Sequence, residues 1–302
     1  MSERGLASVA GGHHVWVEDE AAGRSETGGT APAVDAAQPI GSVTKTFVAV
    51  ITMQLVAEGR VELEAPAGDL VADLSLGGGC TLDALLRHET DLATYTDALF
   101  WRRVLAEPDR PLTPIELLEH AAARDTTGAG YCNTNYVVVG LVLESLTSQT
   151  LAGLVRRRVA DPLGLERTFL PGPTDLTAAA DHPGKSTIFG HDGPVWPTAA
   201  SVTGSWAAGG MTSTLDDLRR LGAALRDGEL LDPVSSETMF TCRNGRGLGV
   251  AAIADGLIGH TGGIPGYRAV LGLADGRVVA GVASDDGIDI GERAARAAER
   301  DR

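Results

Sequence analysis

The distribution of strand-like segments along the chain limits its fold more than any other feature of the sequence. One such segment stands near the start, at His13 to Glu18, and three stand near the end, at Gly247 to Ile253, Tyr267 to Leu273 and Arg277 to Ala283. The turn Ala274-Asp275-Gly276 joins the last two as a hairpin. Because strands need partners, we expect the two ends of the chain to meet in one antiparallel sheet, with a helical insertion between them.

Most of the other apolar residues recur at helical spacing. The clearest segment is Val43 to Glu58, whose broad apolar face predicts a mostly buried helix that begins near Ser42 and stops at Gly59. Residues 21–37 and 161–205 are rich in Gly, Thr and Pro and are predicted to be turns and loop. Further helices are predicted at Thr81 to Arg87, Pro114 to Arg124, Asn135 to Leu146, Leu215 to Arg226, and from Ile290 onward.

These segments predict an α/β (α+β) fold in which helices flank the antiparallel sheet. A length of 302 residues, at roughly 150 per structural unit, allows two units. We expect residues 1–60 and 205–302 to form a discontinuous sheet domain and residues 61–204 a mostly helical domain. The functional site would lie between them.

The charge of the chain argues against nucleic acid as a partner. There are 40 acidic and 25 basic residues, which gives a net charge of −15, and the basic runs are too short to form the positive face that phosphate binding needs. A bare anionic membrane is disfavoured for the same reason. The longest apolar stretches, residues 47–53 and 136–143, fall short of the roughly 20 residues that span a bilayer.

The start of the chain and its cysteines bear on the compartment. MSERGLASVAGGHHVW has no basic segment followed by an apolar one and no small-residue cleavage site, so we expect a cytoplasmic protein. The three cysteines, Cys80, Cys132 and Cys242, are odd in number and lack a C-x-x-C pair. Neither a disulfide framework nor a zinc site is predicted from them.

Several common signatures are absent because their spacing is not met. Gly184-Lys185-Ser186 resembles the end of a P-loop, but Ala179 stands where that motif needs its first glycine. The chain has no H-E-x-x-H zinc helix and no G-x-S-x-G nucleophile elbow. His13-His14 lies in a strand candidate, where a structural or surface role is favoured over metal ligation.

Ser42-Val43-Thr44-Lys45 is the motif that points to chemistry. Lys45 and Lys185 are the only lysines in a chain that otherwise uses arginine, and an ammonium can lose its proton where a guanidinium cannot. Residues i and i+3 share a helix face, so the Lys45 amine can reach the Ser42 hydroxyl. Free N–H groups at the start of the helix can stabilise a developing oxyanion. The alternative interpretation makes Ser42 a helix cap and Lys45 a solvated charge.

Two further motifs are weak when taken singly. Tyr131-Cys132-Asn133 stands just before a predicted helix, and Tyr131 is one of four tyrosines, although most loop tyrosines are structural. His260-Thr261-Gly262-Gly263 could form an edge strand that presents a backbone N–H to a substrate carbonyl, although glycine-rich turns are common.

In this order and at these separations, the three motifs resemble those of the active-site serine penicillin-recognising superfamily, the S-x-x-K, Y-x-N, H-x-G type. That superfamily contains class C β-lactamases, D-Ala-D-Ala carboxypeptidases and related esterases. The strongest likeness is to the actinomycete carboxypeptidases, from about Gln38 to Gly287. It is carried by the segments IGSVTKTFVAVITMQLVAEGRVELEAP, YCNTNYVVVGLVLESLT, SWAAGGMTSTLDDL and HTGGIPGYRAVLGLADG.

The resemblance implies a β-lactamase/DD-peptidase-like fold and a role for each matching residue. Ser42 would be the acylated nucleophile, Lys45 its activating partner and Tyr131 the base that passes the proton to the leaving group. Asn133 would hold Lys45 and a substrate amide. Two further pairs complete the implied site: His260 and Thr261 in place of Lys-Thr, and the backbone N–H groups of Ser42 and Gly263, beside Gly262, as the oxyanion hole.

Residue chemistry alone leaves the identity of the base open. Tyrosine and lysine both have reference pKa values near 10, so one must be shifted to act as a base at neutral pH. A phenol beside an ammonium favours the phenolate, whereas desolvation favours the neutral amine. The nucleophile, base and oxyanion donors are all protein groups, so no metal or organic cofactor is implied.

The chain departs from the family pattern at three places. Asp91 replaces a glycine in Leu86-Arg87-His88-Glu89-Thr90-Asp91. The carboxypeptidases have an arginine just after a G-L-G-L strand, but Ala251 follows Gly247-Leu248-Gly249-Val250 here, so that cationic anchor is predicted to be missing unless Arg268 replaces it. Cys132 stands for the usual serine and is interpreted as a small buried residue.

These observations predict a serine hydrolase that cleaves an amide or ester, with a small-molecule or peptide substrate. Because no leader precedes the motifs, a soluble ester, amide or peptide is expected rather than peptidoglycan. One alternative is an acyl transferase or peptide cyclase that uses the same acyl-enzyme. Another is a non-catalytic ligand-binding protein. The oligomeric state is not predicted.

Overall fold

The computed structural model describes residues 11–18, 23–71, 80–124, 130–188 and 193–299. Its main sheet has six antiparallel strands in the order β2-β1-β10-β9-β8-β7. The strands are β1 (Gly12–Glu18), β2 (Gly23–Gly29), β3 (Gln38–Pro39), β4 (Gly184–Ser186), β5 (Gly193–Val195), β6 (Thr212–Ser213), β7 (Ala251–Ala254), β8 (Leu257–Ile264), β9 (Tyr267–Ala274) and β10 (Arg277–Ala283).

The sheet joins the two ends of the chain, and this confirms the predicted fold class. β1 lies between β2 and β10, with His13 opposite Ala283 and Glu18 opposite Val278. The strands β3 and β6 form one two-stranded ladder, and β4 and β5 form another. The division into a sheet domain and a helical domain stays a prediction, and residues 1–10, on which the expected absence of a leader partly rests, lie outside the described residues.

Most helices of the described ranges come from the middle of the chain. They are α1 (Thr44–Ala57), α2 (Ala67–Leu70), α3 (Leu82–Leu86), α4 (Ala98–Ala106), α5 (Pro114–Ala122), α6 (Asn133–Thr147), α7 (Leu151–Val155), α8 (Asp161–Leu163), α9 (Ala199–Gly209), α10 (Leu215–Arg226), α11 (Pro233–Phe240) and α12 (Ile290–Glu299). A 3-10 turn at Gly41–Val43 leads into α1, and a π-helical turn at Arg156–Ala160 joins α7 to α8.

The two faces of the sheet bury different sets of residues, as the alternation of strand side chains requires. Leu271 and Val278 belong to the larger core, together with α1 and α10. Val270 and Val279 belong to a smaller core, which α12 covers with Ala294 and other alanines. Helices on both faces of an antiparallel sheet account for the apolar residues on both sides of β9 and β10.

Helix α1 is the central element of the larger core. Eleven of its 14 residues are buried, and Lys45 is the one charged residue in the helix. The Thr46 hydroxyl donates to the Gly249 carbonyl at 2.9 Å, which ties α1 to the segment before β7. A helix that is apolar on all sides is typical of a protein core. The nucleophile motif therefore lies at the N-terminal end of a helix that is packed on every side.

Two predicted loops contain regular structure. The range 21–37 includes β2, whose sequence GRSETGG has no apolar alternation because this strand lies at the sheet edge with half-exposed faces. The range 161–205 includes α8, the β4–β5 ladder and the start of α9. α9 consists largely of Ala, Gly and Ser because it packs closely on α6, where a Cβ at Gly140 would lie 2.8 Å from the Ala207 Cβ.

Other boundaries differ less. β7 begins at Ala251 rather than at Gly247, and α2, α4, α7 and α11 were not among the predicted helices. No single helix in the described ranges is long and apolar enough to cross a membrane. The pair Asn133–Thr147 and Leu151–Leu163, bent by 78°, meets the length and composition requirement only when taken together.

Candidate active site

The fold brings Ser42 and Lys45 together at the start of α1. The Lys45 Nζ lies 3.0 Å from the Ser42 Oγ, as the i, i+3 spacing predicts. Ser42 makes no side-chain cap bond, and Lys45 is fully buried. The alternative interpretation of a cap and a solvated charge is therefore wrong.

Lys45 is held by oxygen atoms that carry no charge. Its Nζ donates to the Asn133 Oδ1 at 2.7 Å and to the Ala208 carbonyl, and it is also in contact with the Ser42 Oγ. No carboxylate forms an ion pair with it among the described residues. Burial lowers the pKa of Lys45 well below its usual value, because an ammonium loses its hydration there without gaining a counterion. The site therefore favours a neutral amine.

A neutral amine agrees with the hydrogen bonds around it. Two N–H donors are enough for Asn133 and Ala208, and the lone pair then faces the Ser42 hydroxyl. The Tyr131 hydroxyl donates to the Ser42 Oγ at 2.7 Å. The three groups thus form a chain in which Tyr131 donates to Ser42 and Ser42 can donate to Lys45.

Tyr131 lies at the mouth of the site. Desolvation raises its pKa above the usual value, which favours the phenol. The residue keeps 44% of its surface exposed, whereas Lys45 is fully buried. The two pKa shifts favour compatible protonation states, a neutral Lys45 amine and a protonated Tyr131 phenol.

Asn133 is the first residue of α6 and bridges two elements. Its Oδ1 accepts from Lys45, and its Nδ2 donates to the Thr96 hydroxyl at 2.7 Å. The Thr94 hydroxyl accepts from the Asn133 backbone N–H at 3.3 Å. Thr94 and Thr96 were missed by the sequence analysis, since isolated threonines in a loop carry no distinguishing pattern.

The strand β8 supplies the opposite wall. β7 pairs with β8 only as far as Gly259, so residues 260–264 have no strand on that side. Ile264 and Tyr267 close a two-residue hairpin, and hydrogen-bonded pairs alternate from there. The Gly263 N–H therefore points away from β9, into the cleft.

Close backbone contacts hold β8 against the nucleophile turn. Gly41 has a φ of +51°, and a Cβ there would lie 2.5 Å from the Gly263 nitrogen. A Cβ at Gly262 would lie 1.9 Å from the Ile40 carbonyl and 3.0 Å from the Ser42 nitrogen. Only glycine fits at both positions, so the two proposed oxyanion donors, the Ser42 and Gly263 N–H groups, lie side by side.

His260 is a neutral, oriented side chain of this wall. Burial, with a smaller contribution from Lys45, lowers its pKa to about 3. Its Nδ1 lies 2.6 Å from the Thr261 carbonyl, and this contact fixes the proton on Nδ1. The Nε2 atom is then an acceptor, and the ring lies 6.0 Å from the Tyr131 ring between centroids.

His88 is a second neutral histidine, to which the sequence analysis gave no role. Its Nδ1 accepts from the Cys132 N–H at 3.1 Å, and its ring lies 4.4 Å from the Tyr131 ring. Burial lowers its pKa to about 2. His88 thus fixes the backbone and ring next to the Tyr131 hydroxyl. Cys132 is buried, and its Sγ donates to the Leu92 carbonyl at 3.2 Å, in agreement with a structural residue.

Two arginines bear on the cationic anchor that the sequence analysis expected to be missing unless Arg268 replaces it. Arg268 donates to the carbonyls of Ile264 at 3.2 Å and Tyr267 at 3.0 Å, so its guanidinium is engaged on its own hairpin. Arg246, which the sequence analysis missed, lies directly opposite Ala251 in an antiparallel bridge. Its guanidinium carbon is 5.8 Å from the centre of the Tyr131 ring.

A cavity of about 770 Å³ opens beside these residues. The residues that line it include Tyr131, His88, His260, Thr261 and Arg246. The described residues contain no group of three or more His, Cys, Asp or Glu side chains placed to hold a metal ion. The Ser42 hydroxyl, the Lys45 amine and the Tyr131 hydroxyl beside the cavity together offer nucleophilic attack and proton transfer.

Comparisons with known proteins identify the family and the fold. A family model described as Beta-lactamase matches residues 2–300. Penicillin-binding protein 4 of Amycolatopsis lactamdurans is 30% identical over 182 residues, which are 56% of this chain and 45% of that protein. The chain thus spans less than half the length of this curated relative.

Two solved structures share the architecture over almost the whole chain. A D-stereospecific amidohydrolase from Streptomyces sp. has a TM-score of 0.85 at 25% identity, covering 98% of this chain and 95% of that one. The D-amino acid amidase from Ochrobactrum anthropi SV3, complexed with L-phenylalanine amide, has a TM-score of 0.78 at 21% identity, covering 95% and 93%. The second likeness concerns the fold alone.

Proposed function

The chain belongs to the beta-lactamase family of serine hydrolases, and from this premise we propose that it cleaves amides or esters through an acyl-enzyme on Ser42. One observation carries the proposal. The Ser42 Oγ lies 3.0 Å from a fully buried lysine amine and 2.7 Å from a tyrosine hydroxyl. This is the arrangement that an activated serine nucleophile needs.

In the first step Lys45 is the base. The neutral amine takes the Ser42 proton as the Oγ attacks the substrate carbonyl carbon, and the carbonyl oxygen becomes an oxyanion. The Ser42 and Gly263 N–H groups stabilise that charge. The Lys45 pKa, lowered by burial, keeps the amine ready for this transfer at neutral pH.

In the second step the leaving group departs on the Tyr131 side. Its nitrogen or oxygen takes the Tyr131 hydroxyl proton as the bond to the carbonyl carbon breaks, and the Lys45 ammonium then gives the proton it took from Ser42 to the Tyr131 phenolate. An ester then joins the acyl group to Ser42. Attack by water in the reverse order of transfers releases the acid and restores the free serine.

For the substrate we propose amides, esters or peptides of D-configured acyl groups. The likeness to a D-stereospecific amidohydrolase at 25% identity supports this class, and the motif resemblance to D-Ala-D-Ala carboxypeptidases agrees with it. Acyl transfer to an amine or alcohol, peptide cyclisation and ligand binding without turnover stay as the alternatives. We keep the cytoplasm as the proposed location, as the sequence analysis expected.

The test is intact-protein mass spectrometry after incubation with a fluorophosphonate, a fluorescent penicillin and a p-nitrophenyl ester. We expect one covalent adduct in the wild type and in Ser25→Ala, which changes an exposed serine on β2. Ser42→Ala should show none, and its turnover should fall by about 10⁴-fold or more. Labelling of folded Ser42→Ala at wild-type level would overturn the proposal.

A second measurement addresses the substrate. D- and L-aminoacyl p-nitroanilides are compared by kcat/KM, with and without an added amine acceptor. We expect the D-isomers to be preferred and the free acid to be the product. An L-preference would exclude the proposed class, and diversion of most product to the amine adduct would favour an acyl transferase.

A further inference from the structure

Trp206 has a backbone conformation that a bulky residue rarely adopts. Its φ is +29° and its ψ is −124°, and these values break helix α9 near its end. A positive φ is an outlier for a bulky side chain, and such strain persists only where the surrounding structure enforces it. Because strained residues are concentrated at functional sites, the break in α9 is expected to serve the site.

The indole ring of Trp206 is held against helix α6. A Cβ at Gly140 of α6 would lie 2.9 Å from two atoms of this ring, so the ring fits there because residue 140 has no side chain. The Trp206 carbonyl accepts from the Gly210 N–H at 2.7 Å, and a Cβ at Gly210 would lie 2.7 Å from the Val202 carbonyl oxygen. The packed ring and the closed turn together keep residue 206 in its strained conformation.

The turn that follows the break, residues 207–211, packs on the nucleophile motif. Its Ala208 carbonyl accepts from the Lys45 Nζ. Its Met211 carbonyl accepts from the Ile40 N–H at 3.0 Å, just before the nucleophile turn. The direction in which the chain leaves the break therefore decides whether the Ala208 carbonyl reaches the amine.

The Ala208 carbonyl orients the Lys45 amine. Together with the Asn133 Oδ1, it accepts the two N–H groups of a neutral amine, and the lone pair then faces the Ser42 Oγ. If residue 206 relaxed to the helical φ and ψ of about −63° and −42°, every following peptide plane would rotate and the carbonyl would leave Lys45. The amine could then turn away from the hydroxyl proton that it has to take.

We propose that Trp206 is a positioning residue, whose strained backbone places the Ala208 carbonyl on Lys45. The packing of its ring on Gly140 maintains that strain. Among the described residues, Trp206 is not one that lines the cavity of about 770 Å³, so it acts through Lys45 and not on the substrate. This inference rests on the proposed function, because it concerns the base of the same site.

The test compares Trp206→Gly with Trp206→Ala by stopped-flow acylation with a p-nitrophenyl ester. Glycine adopts a positive φ without strain and can keep the break in α9 after the ring is gone, whereas alanine relaxes toward the helical conformation. We expect Trp206→Gly to be acylated about tenfold faster or more than Trp206→Ala, with the same dissociation constant for the ester.

A role in packing alone predicts the opposite order of the two variants. Alanine fills more of the space that the ring leaves and favours helix, so Trp206→Ala would then be the more active protein. Equal or faster acylation of Trp206→Ala, in proteins shown to be folded, would overturn the inference.

Gly140→Ala tests the same contact with Trp206 left in place. The added methyl displaces the ring, and we expect the acylation rate constant to fall by about tenfold while the dissociation constant of the ester stays unchanged. Gly204→Ala is the matched control, since its Cβ lies in α9 before the break and 3.0 Å from the Phe100 ring. It should keep the wild-type rate, and equal rates in the two variants would overturn the inference. A wild type without fluorophosphonate labelling of Ser42 would instead contradict the proposed function.

Discussion

Gly41 and Gly263 approach so closely that a Cβ on Gly41 would lie 2.5 Å from the Gly263 nitrogen. The contact joins the nucleophile turn to β8, two segments more than 200 positions apart in the sequence. Because the Ser42 N–H belongs to one segment and the Gly263 N–H to the other, this contact sets the spacing of the two proposed oxyanion donors.

Gly41→Ala should therefore damage catalysis more than stability. The added methyl displaces the Gly263 N–H, and losing one oxyanion donor costs about 10²- to 10³-fold in kcat. Gly59→Ala is the matched control, since Gly59 also has a positive φ, +68°, but nothing within 4 Å of its Cβ position. Gly59→Ala should lose about 1–2 kcal/mol of unfolding free energy, and Gly41→Ala should lose more, because its methyl group also clashes with the Gly263 backbone. Equal kcat in the two variants would contradict this account of the contact.

Lys45→Arg should lose about 10²- to 10⁴-fold in the rate of acylation, because a guanidinium cannot serve as a base. Lys185→Arg changes the other lysine, which is half-exposed and lies 3.3 Å from Asp285, and should keep the wild-type rate. Stopped-flow ester hydrolysis measures both. The wild-type kcat/KM should fall as the pH drops below the lowered pKa of Lys45. Wild-type acylation by Lys45→Arg would instead assign the base to Tyr131.

His88 and His260 should make the fold sensitive to mild acid. Their folded pKa values are about 2 and about 3, whereas an unfolded histidine has a pKa near 6.5. Between these values the unfolded state binds more protons, so stability is lost as the pH falls below about 6.5, by up to about 1.4 kcal/mol per pH unit for each histidine.

Urea unfolding between pH 7.5 and 5 measures this loss. His88→Gln should be less stable than the wild type at pH 7.5 but lose less stability on acidification. The exposed, unpaired charges elsewhere contribute equally to both proteins, so the difference in slope isolates the histidine. Parallel slopes would show that His88 titrates in the folded protein near its ordinary pKa.

Gly222→Ala should destabilise the protein although alanine favours helix. A Cβ at Gly222 in α10 would lie 2.4 Å from the Val278 Cγ1 of β10, and overpacking of this kind costs about 1–3 kcal/mol. Gly153 in α7 is the control, since its Cβ would lie 3.2 Å from the exposed end of Arg157 and 3.2 Å from the Thr150 Oγ1, without an overlap as close as that at Gly222. Gly153→Ala should gain about 0.5–1 kcal/mol. Thermal melting of both variants measures whether Gly222→Ala lowers the melting temperature and Gly153→Ala raises it.

The features that the sequence could predict are those with local periodicity or fixed spacing. The sheet made from both chain ends followed from strand-like segments at each end, and α1 followed from its apolar spacing. The meeting of Ser42, Lys45, Tyr131 and His260 in one cleft followed from motif order. Their roles in catalysis remain predictions for the experiments above.

The features that the sequence could not predict depend on neighbours distant in the chain. β2 has no apolar alternation because it lies at the edge of the sheet, and α9 consists of small residues because α6 lies close to it. The neutrality of Lys45 depends on burial among uncharged oxygens, which no local pattern records. Arg246 stands five positions before Ala251 in the sequence, and only the bridge between them shows that the two residues lie side by side.

The pairing of His13 with Ala283 has a consequence for the order in which the protein matures during translation. β1 is synthesised early, but its pairing partner β10 is the last of the six strands to be synthesised. Likewise, the second proposed oxyanion donor, the Gly263 N–H, is synthesised long after Ser42. A nascent chain halted between residues 133 and 262 therefore carries Ser42, Lys45 and Tyr131 but lacks the Gly263 N–H, and we expect full activity only when the far end of the sheet has left the ribosome.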